Sequence, residues 1–336
     1  MSTATTRQSL AVPLFGFLIL GMLCAPAEAQ DPTFIWPLSG SPDGSAPLDR
    51  MNSPFGPRIR ASTSSYEFHE GIDLAGPAGA EVSIGDPVLA AANGTASLLT
   101  DDAGCVIRNA NETAPPGCSP VFPGGGRIVR LDHGGRLYTL YLHLSRQADG
   151  LTTVPGSQTV VNAGDLIGEV GMTGMFAAIP HLHFEVRDGD VLRDFSKNPL
   201  GYLPRPAHQA PVIAALSITP TVDTAEVSVT IENAPDACAL APDCDLDLNR
   251  VVLRIRDAGG TEIDARTVDF NARLNVARDN PEVNGILMDP ERFNRFDSVY
   301  RWKMVFKNLP VISPGSYEVQ AIDVLGLSAA GQVTLP

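Results

Sequence analysis

The chain has 336 residues, of which 44% are hydrophobic and 18% are charged, and its formal net charge is −14 at pH 7. This length is more than one small core usually holds, so the composition favours two domains. An acidic chain without a cluster of Lys and Arg argues against nucleic acid as a partner, and against a membrane surface that binds by charge alone. Beyond the first thirty residues, no window reaches the roughly 18 apolar residues of a bilayer-crossing helix, so we predict no membrane span.

The first residues of the chain are typical of an export signal. Arg7 provides a short positive start, residues 10–23 are apolar, and a small-x-small cleavage site follows at residues 27–29. We therefore expect a signal peptide at residues 1–29. The mature protein is then expected in the periplasm or outside the cell.

Four cysteines remain after this signal peptide, and they form two local pairs. Cys105 lies close in sequence to Cys118, and Cys238 lies close to Cys244. In an oxidising compartment, two local disulfides are the simplest of the three possible pairings. The first disulfide would pin an inserted loop at residues 101–125.

A proline-containing interruption at residues 203–211 predicts a domain boundary between two β-rich halves, 30–206 and 207–336. Before it, the alternating segments 126–132 and 136–144 flank a glycine turn, which predicts a hairpin. After it, short alternating segments recur, which favours an immunoglobulin- or fibronectin-like β-sandwich. Those segments are 212–218, 226–231, 251–256, 301–306 and 317–322. The predicted fold class is mainly β, with antiparallel sheets.

Five of the six histidines lie between positions 69 and 183, and four of those five are on strand-like segments. Because side chains alternate across a strand, His69 and Asp73 share one face, with only Gly71 between them, and can reach one metal. The same alternation places His181 and His183 on one face. Each pattern alone is common in proteins without a metal.

A further strand-like segment, residues 137–145, contributes His143. Its alternation predicts that Leu140, Leu142 and Leu144 pack inward, while Tyr141 and His143 share the opposite face. Together the three segments supply imidazoles and a carboxylate that suit a tetrahedral zinc site with an open position, and they leave two spare histidines. Such a site suits hydrolysis, because zinc activates a bound water and proton carriers lie nearby.

Several motifs between about residues 50 and 200 also form a recognisable set. Residues 53–58 read SPFGPR, 69–73 read HEGID, 140–145 read LYLHLS, 171–174 read GMTG and 180–185 read PHLHFE. In these motifs the chain resembles the lysostaphin-like, LytM-type zinc metallopeptidases, which cleave peptide bonds in peptidoglycan.

The resemblance implies a role for each candidate residue. His69, Asp73 and His183 would bind one Zn²⁺ per chain, and His143 and His181 would be the catalytic pair. Peptidoglycan stem peptides would be the substrate of an exported zinc endopeptidase. Which of the two histidines is the general base stays open, although the position of His181 beside a ligand favours it.

The carboxylates that flank the ligands are assigned a supporting role. Alternation leads us to expect that Glu70 and Glu185 point away from the metal and act on the ligands from outside. The half at 207–336 contains no catalytic set, so we expect it to position the enzyme or to bind a protein partner.

Two alternatives remain from other functional classes. The chain could be a non-catalytic adaptor that binds the wall and activates an amidase. Alternatively, the C-terminal half could be the working part, as a module that binds the wall or a partner, with the peptidase half vestigial.

Overall fold

A computed structural model describes residues 34–38, 51–59, 65–75, 82–100, 125–151, 159–174, 180–204, 209–232, 248–272, 280–290 and 301–336. The expected signal peptide, both cysteine pairs and all but the last residue of the loop expected at 101–125 lie outside these ranges. Within them there is no α-helix, and 3-10 helices occur at Arg193–Phe195 and Pro199–Gly201. No helix in these ranges has the length and apolar character of a membrane span.

The strands before the predicted boundary form antiparallel sheets. They are β1 Met51–Ser53, β2 Gly56–Ile59, β3 Tyr66–His69, β4 Ile72–Leu74, β5 Pro87–Leu89, β6 Gly94–Thr100, β7 Arg127–Asp132, β8 Leu137–Leu144, β9 Arg146–Gln147, β10 Thr159–Val161, β11 Leu166–Glu169, β12 Leu182–Asp188 and β13 Ser196–Lys197. One sheet has the order β1-β4-β12-β8-β7-β6-β10, with β13 also on β12, and a second has the order β5-β11-β9. Strands β2 and β3 pair only with each other among the described strands.

Strand β12 is central to the larger sheet and is buried on both faces. Leu182, Phe184 and Val186 are fully buried in the apolar core. The alternate residues, among them His183 and Glu185, are buried as well but polar. In β4, Asp73 is the register partner of His183. The alternation predicted for the two segments is thereby confirmed, and the sheet register brings a carboxylate and an imidazole side by side.

The alternation predicted for β8 is wrong at its end. Tyr141 is fully buried, and Leu142 is only partly buried. Three steps along β8, from Tyr141 to Leu144, correspond to two along β7, from Val129 to Arg127. This extra residue is a β-bulge, and His143 within it has a φ of 64°. A bulge changes the direction of the side chain, so His143 is oriented by the bulge rather than by simple alternation.

The hairpin predicted between β7 and β8 is confirmed. The two strands pair in antiparallel fashion around a turn at residues 133–136. Gly134 and Gly135 have φ values of 81° and 60°. Glycine adopts this left-handed conformation without the strain that a Cβ would cause.

The strands after residue 209 form two further antiparallel sheets. They are β14 Val212–Pro220, β15 Ala225–Glu232, β16 Leu248–Asp257, β17 Glu262–Asp269, β18 Glu282–Val283, β19 Ile286–Pro290, β20 Arg301–Leu309, β21 Gly315–Asp323 and β22 Ser328–Leu335. Their orders are β14-β15-β20-β19-β18 and β17-β16-β21-β22. Every second residue of β15 and β21 is buried, so each sheet has an apolar face. The immunoglobulin-like or fibronectin-like sandwich and the division into domains stay predictions.

We predict that Tyr141→Phe destabilises the fold by about 1–3 kcal/mol, the cost of a buried donor left unsatisfied. The Tyr141 hydroxyl accepts hydrogen bonds from the Ala91 backbone N–H at 2.7 Å and from the Thr139 hydroxyl at 3.2 Å. Urea unfolding of the full chain measures the change. Tyr138→Phe is the matched control, because Tyr138 lies in the same strand and is only partly buried. Equal destabilisation by both variants would contradict the prediction.

Candidate metal centre

Three side chains from three strands converge at the polar face of β12. His69 ends β3, Asp73 lies in β4 and His183 lies in β12. Asp73 Oδ1 is 2.8 Å from His183 Nδ1 and 3.2 Å from His69 Nε2, and the two nitrogens are 3.0 Å apart. All three side chains are buried. In the described part of the chain, they form the single group of three or more His, Cys, Asp or Glu side chains that could hold a metal ion.

Each imidazole is fixed by a hydrogen bond at its outer nitrogen. His69 Nδ1 is 2.7 Å from the carbonyl oxygen of Pro54, and His183 Nε2 is 3.1 Å from Glu185 Oε1. Carbonyl and carboxylate oxygens only accept, so the outer nitrogens carry the protons. In the metal-free protein His183 Nδ1 also donates to Asp73 Oδ1 at 2.8 Å. Once that proton is lost, the two inner nitrogens, His69 Nε2 and His183 Nδ1, present lone pairs to the same point.

Asp73 is held from its other side by Arg58. Arg58 Nη1 donates to Asp73 Oδ2 at 3.1 Å, and Arg58 Nε donates to Glu67 Oε1 at 2.7 Å. Burial opposes the charge on Asp73, but the neighbouring His69 and His183 outweigh it and hold the pKa of this carboxyl well below its usual range. Asp73 is therefore ionised, with Oδ1 directed at the imidazoles and Oδ2 at the guanidinium.

The expected orientation of Glu185 is wrong, whereas its expected supporting role is consistent with its contacts. Glu185 lies two residues after His183 in β12, so the two side chains share a face, and Glu185 accepts from His183 and from Arg187 Nε at 2.7 Å. Burial opposes its charge, but these partners lower its pKa to about 2. Glu70 is buried, and its Oε2 accepts from Arg193 Nη2 at 2.7 Å.

The structure also brings the two other predicted histidines to this point. His181 Nε2 is 3.7 Å from Asp73 Oδ1, and the rings of His143 and His181 have centroids 4.8 Å apart. His143 Nδ1 is 2.8 Å from the carbonyl oxygen of Thr173, so it carries the proton and Nε2 presents a lone pair. Burial, together with the charges of His181 and His183, lowers the pKa of His143 to about 3. His143 is therefore neutral at physiological pH.

The donor set fits a small divalent metal. Two neutral imidazole nitrogens and one carboxylate oxygen are typical ligands of a tetrahedral site with one position left for water or substrate. Metal–ligand bonds of about 2.0–2.1 Å place tetrahedral ligand atoms roughly 3.3 Å apart, and the observed separations of 2.8–3.2 Å are close to that value. Only a small opening of the group separates it from the metal-bound geometry.

The sequence patterns did not single out the residues that hold the ligands. Arg58 and Pro54 both lie in the SPFGPR motif at residues 53–58, whose pattern alone assigns neither of them a role. Thr173 lies in the GMTG motif at 171–174 in the same way. The signal was thus present in the motifs, but the partners are a side chain and two carbonyl groups whose contacts depend on the fold.

Comparisons with known proteins identify similarity in one region of the chain. Residues 67–195 match the model of Peptidase family M23. A protein of Haemophilus influenzae named as an uncharacterized metalloprotease is 34% identical over 137 residues, which are 40% of this chain and 22% of that protein. The DD-carboxypeptidase/endopeptidase Mpg of Neisseria meningitidis serogroup B is 31% identical over 138 residues, which are 41% of this chain and 24% of that protein. The chain thus matches under a quarter of the length of these relatives.

Solved structures give a weaker likeness. A variant of the catalytic domain of the prophage-encoded M23 protein EnpA from Enterococcus faecalis is 24% identical, with a TM-score of 0.32, over 49% of this chain and 94% of that one. Csd3 of Helicobacter pylori is 24% identical, with a TM-score of 0.31, over 52% of this chain and 35% of that one.

We predict that metal affinity rises with pH. Burial alone would lower the pKa of His183, but hydrogen bonds to Asp73 and Glu185 outweigh it and raise this pKa to about 9. A metal ion needs the neutral ring, so binding must displace one proton below that pH. The apparent affinity should then increase by about tenfold per pH unit between about pH 7 and pH 9. Competition with a chromophoric chelator at several pH values measures it.

The stability of the metal-free protein should show the opposite trend. A raised pKa stabilises the fold fully below the unfolded value of about 6.5, and this contribution is lost as the pH rises through about 9. For the predicted rise of metal affinity with pH, Glu185→Gln is the control. It removes one of the two carboxylates that raise the pKa of His183, and it should therefore lower the pH at which the affinity stops rising. A metal affinity independent of pH would contradict the prediction.

We predict that Gly71→Ala lowers metal affinity without altering any ligand. A Cβ on Gly71 would lie 2.4 Å from the Phe184 carbonyl oxygen and 2.8 Å from His183 Nε2. It must therefore push β4 away from β12 and separate Asp73 from His183. Metal content after dialysis measures the loss. Gly201→Ala is the matched control, since the nearest atom to a Cβ there is 3.7 Å away; equal loss in both variants would refute the steric argument.

Proposed function

We propose, from the match of residues 67–195 to Peptidase family M23, that the chain is an exported, zinc-dependent endopeptidase that hydrolyses peptide crosslinks of bacterial peptidoglycan. The proposal includes His69, Asp73 and His183 as the ligands of one Zn²⁺. It includes His143 and His181 as the catalytic residues. It places the mature protein in the periplasm or outside the cell, where this substrate is found.

The observation that carries the proposal is the convergence of all five residues. The three ligand atoms lie within 3.2 Å of one another, and both imidazoles have their outer nitrogens occupied. The other two histidines lie against this group: His181 Nε2 is 3.7 Å from Asp73 Oδ1, compared with 2.8 Å for His183 Nδ1, and the rings of His143 and His181 are neighbours. This division between preset ligands and adjacent proton carriers is what hydrolysis at a metal requires.

Zinc in such a site supplies Lewis acidity, which lowers the pKa of water and polarises a carbonyl group. The remaining chemistry belongs to the two histidines. His181 lies next to Asp73, so we assign it as the base that takes a proton from water and returns it to the leaving amine. His143 is neutral and accepts at Nε2, so we assign it the task of orienting the water through a hydrogen bond.

We propose the class of bond from the substrate of the family that the chain resembles and from the names of its relatives. The Neisseria relative is named a DD-carboxypeptidase/endopeptidase, which leaves two reactions to separate. An endopeptidase converts crosslinked muropeptide dimers into monomers. A carboxypeptidase instead removes a terminal amino acid from uncrosslinked stem peptides. Mass analysis of the products released from defined peptidoglycans by the zinc-loaded full chain tests the proposal, and dimer loss is the expected result.

A non-catalytic adaptor that binds the wall and activates an amidase is the alternative from another class. The site geometry weighs against it, because all five positions are occupied and all five side chains are buried or partly buried. Zinc bound by the pure protein without any change in the products from peptidoglycan would favour the adaptor.

We predict that the ligand and catalytic variants separate into two groups. His183→Ala and Asp73→Ala should lose both zinc and activity, because two remaining ligands form an incomplete shell. His181→Ala should keep zinc and lose about 10²–10⁴-fold in turnover, the usual contribution of a general acid–base group. Zinc content and dimer cleavage are measured on the same preparations. A zinc-free His181→Ala protein would reverse the ligand assignment within the pair.

A further inference from the structure

The β2–β3 hairpin brings two groups to the metal centre but has no strand partner in the larger sheets. It carries His69 at the end of β3 and Arg58 in β2, and Arg58 holds Asp73. Within the described residues, β2 and β3 pair only with each other. An isolated two-stranded hairpin is marginally stable in water. Its position must therefore be set by packing.

One side of the hairpin packs within the peptidase half. Phe55 and Phe68 meet edge to face with ring centroids 5.1 Å apart, and Phe55 is buried in the core. Pro54, directly before Phe55, provides the carbonyl that fixes the ring of His69. This contact anchors the hairpin on one side and leaves its other side to be supported from elsewhere.

The other side packs against the C-terminal half. Residues 32–336 form one compact unit, and within it Trp302 of β20 lies against Gly56 of β2. A Cβ on Gly56 would be only 2.8 Å from Cη2 and 3.2 Å from Cζ2 of Trp302. Gly56 has a φ of 110° and is the register partner of His69. The edge of the indole ring thus contacts the residue that pairs directly with His69, a proposed metal ligand.

A second contact on the same side supports this placement. The Tyr66 hydroxyl is 3.8 Å from Met288 Sδ, which joins β3 to β19. Trp302 itself is buried, and Phe270 fixes its ring at a centroid distance of 4.9 Å and an angle of 63°. A tryptophan held in this way is a rigid surface against which the hairpin packs.

Strand β13, one of the neighbours of β12, also contacts the C-terminal half. Strand β13 pairs with β12, which carries His183. Lys197 at its end donates to the Asn271 carbonyl oxygen, and the Asn198 backbone N–H donates to Asn271 Oδ1 at 2.7 Å. The C-terminal half therefore contacts both the β2–β3 hairpin, which carries His69, and the strand that pairs with β12, which carries His183.

We propose that Trp302 is a positioning residue of the metal centre, which packs on Gly56 and holds the β2–β3 hairpin where His69 and Arg58 reach Asp73. This inference rests on the proposed metal site. It gives the C-terminal half a structural role in the peptidase half, beyond any role in locating the enzyme or binding a partner. Removing the indole leaves every ligand in the chain but takes away the packing on the Gly56 side of the hairpin.

The test compares variants of the full chain. Trp302→Ala should raise the zinc dissociation constant by about tenfold, the lower end of the range seen when groups that orient a ligand are removed. Phe306→Leu is the matched control, because Phe306 is fully buried on the same strand but pairs with Val227 and Ile286 of the C-terminal sheet. It should stay within about twofold of the original affinity, as expected for a distant site. Chelator competition at fixed pH gives the constants.

A second measurement needs no zinc. In the metal-free protein, the amides of β2 and β3 should exchange with solvent faster in Trp302→Leu than in the original chain or in Phe306→Leu. If Trp302→Ala does not fold, zinc affinity and amide exchange are both measured on Trp302→Leu instead. Unchanged zinc affinity and unchanged amide exchange in Trp302→Leu would overturn the inference. An original chain that binds no zinc would instead overturn the proposed function, and amide exchange would still judge the packing role.

Discussion

The carboxylate of Asp73 is the constraint on which the site depends. Its Oδ1 lies between two imidazole nitrogens and its Oδ2 meets a guanidinium, so both oxygens are directed. A buried carboxylate without partners costs several kcal/mol, which no small domain can leave uncompensated. Arg58 and the imidazoles offset this cost in the metal-free protein, and a bound metal would replace the proton on His183. Any shift of β4 against β12 breaks both arrangements together.

The sheet is the device that prevents such a shift. Asp73 and His183 are register partners, so their separation is set by backbone hydrogen bonds rather than by a loop. The opposite faces of the same strands bury Ile72 and Phe184 in the core, and a slip by one residue would turn apolar side chains into the site. The hydrophobic core thereby fixes the arrangement of the candidate metal ligands. Sites on rigid strands are held more closely than sites on loops.

Strand alternation was sufficient to predict the site where the strands are regular. It placed His69 with Asp73 and His181 with His183, and the structure brings all four together. It failed in β8, because a bulge adds one residue and the pattern of apolar residues contains no sign of it. The error at Glu185 was of another kind, since a side chain two residues from His183 shares its face and the period was misapplied.

The contacts that span the chain could not be predicted in this way. Trp302 and Gly56 are far apart in sequence, and nothing in either local pattern indicates that one packs on the other. The same holds for Arg58, whose partner Asp73 lies in a different sheet. Local periodicity indicates which face of an element is buried, but it does not indicate which other element packs against that face. Pairings of this kind follow from the packing of whole sheets.

The outer partners of the ligands differ in charge, and this difference has a chemical consequence. His69 is held by a neutral carbonyl, His183 by the carboxylate of Glu185, and Asp73 by the guanidinium of Arg58. A carboxylate partner makes an imidazole a stronger donor to a metal, whereas a guanidinium draws charge from a ligating carboxylate. The three carboxylates Glu67, Asp73 and Glu185 face the two guanidinium groups of Arg58 and Arg187. The cluster thus has a net charge of about −1 when both imidazoles are neutral, so a divalent ion would leave it positive. A positive centre keeps its attraction for a carbonyl oxygen that gains negative charge during hydrolysis.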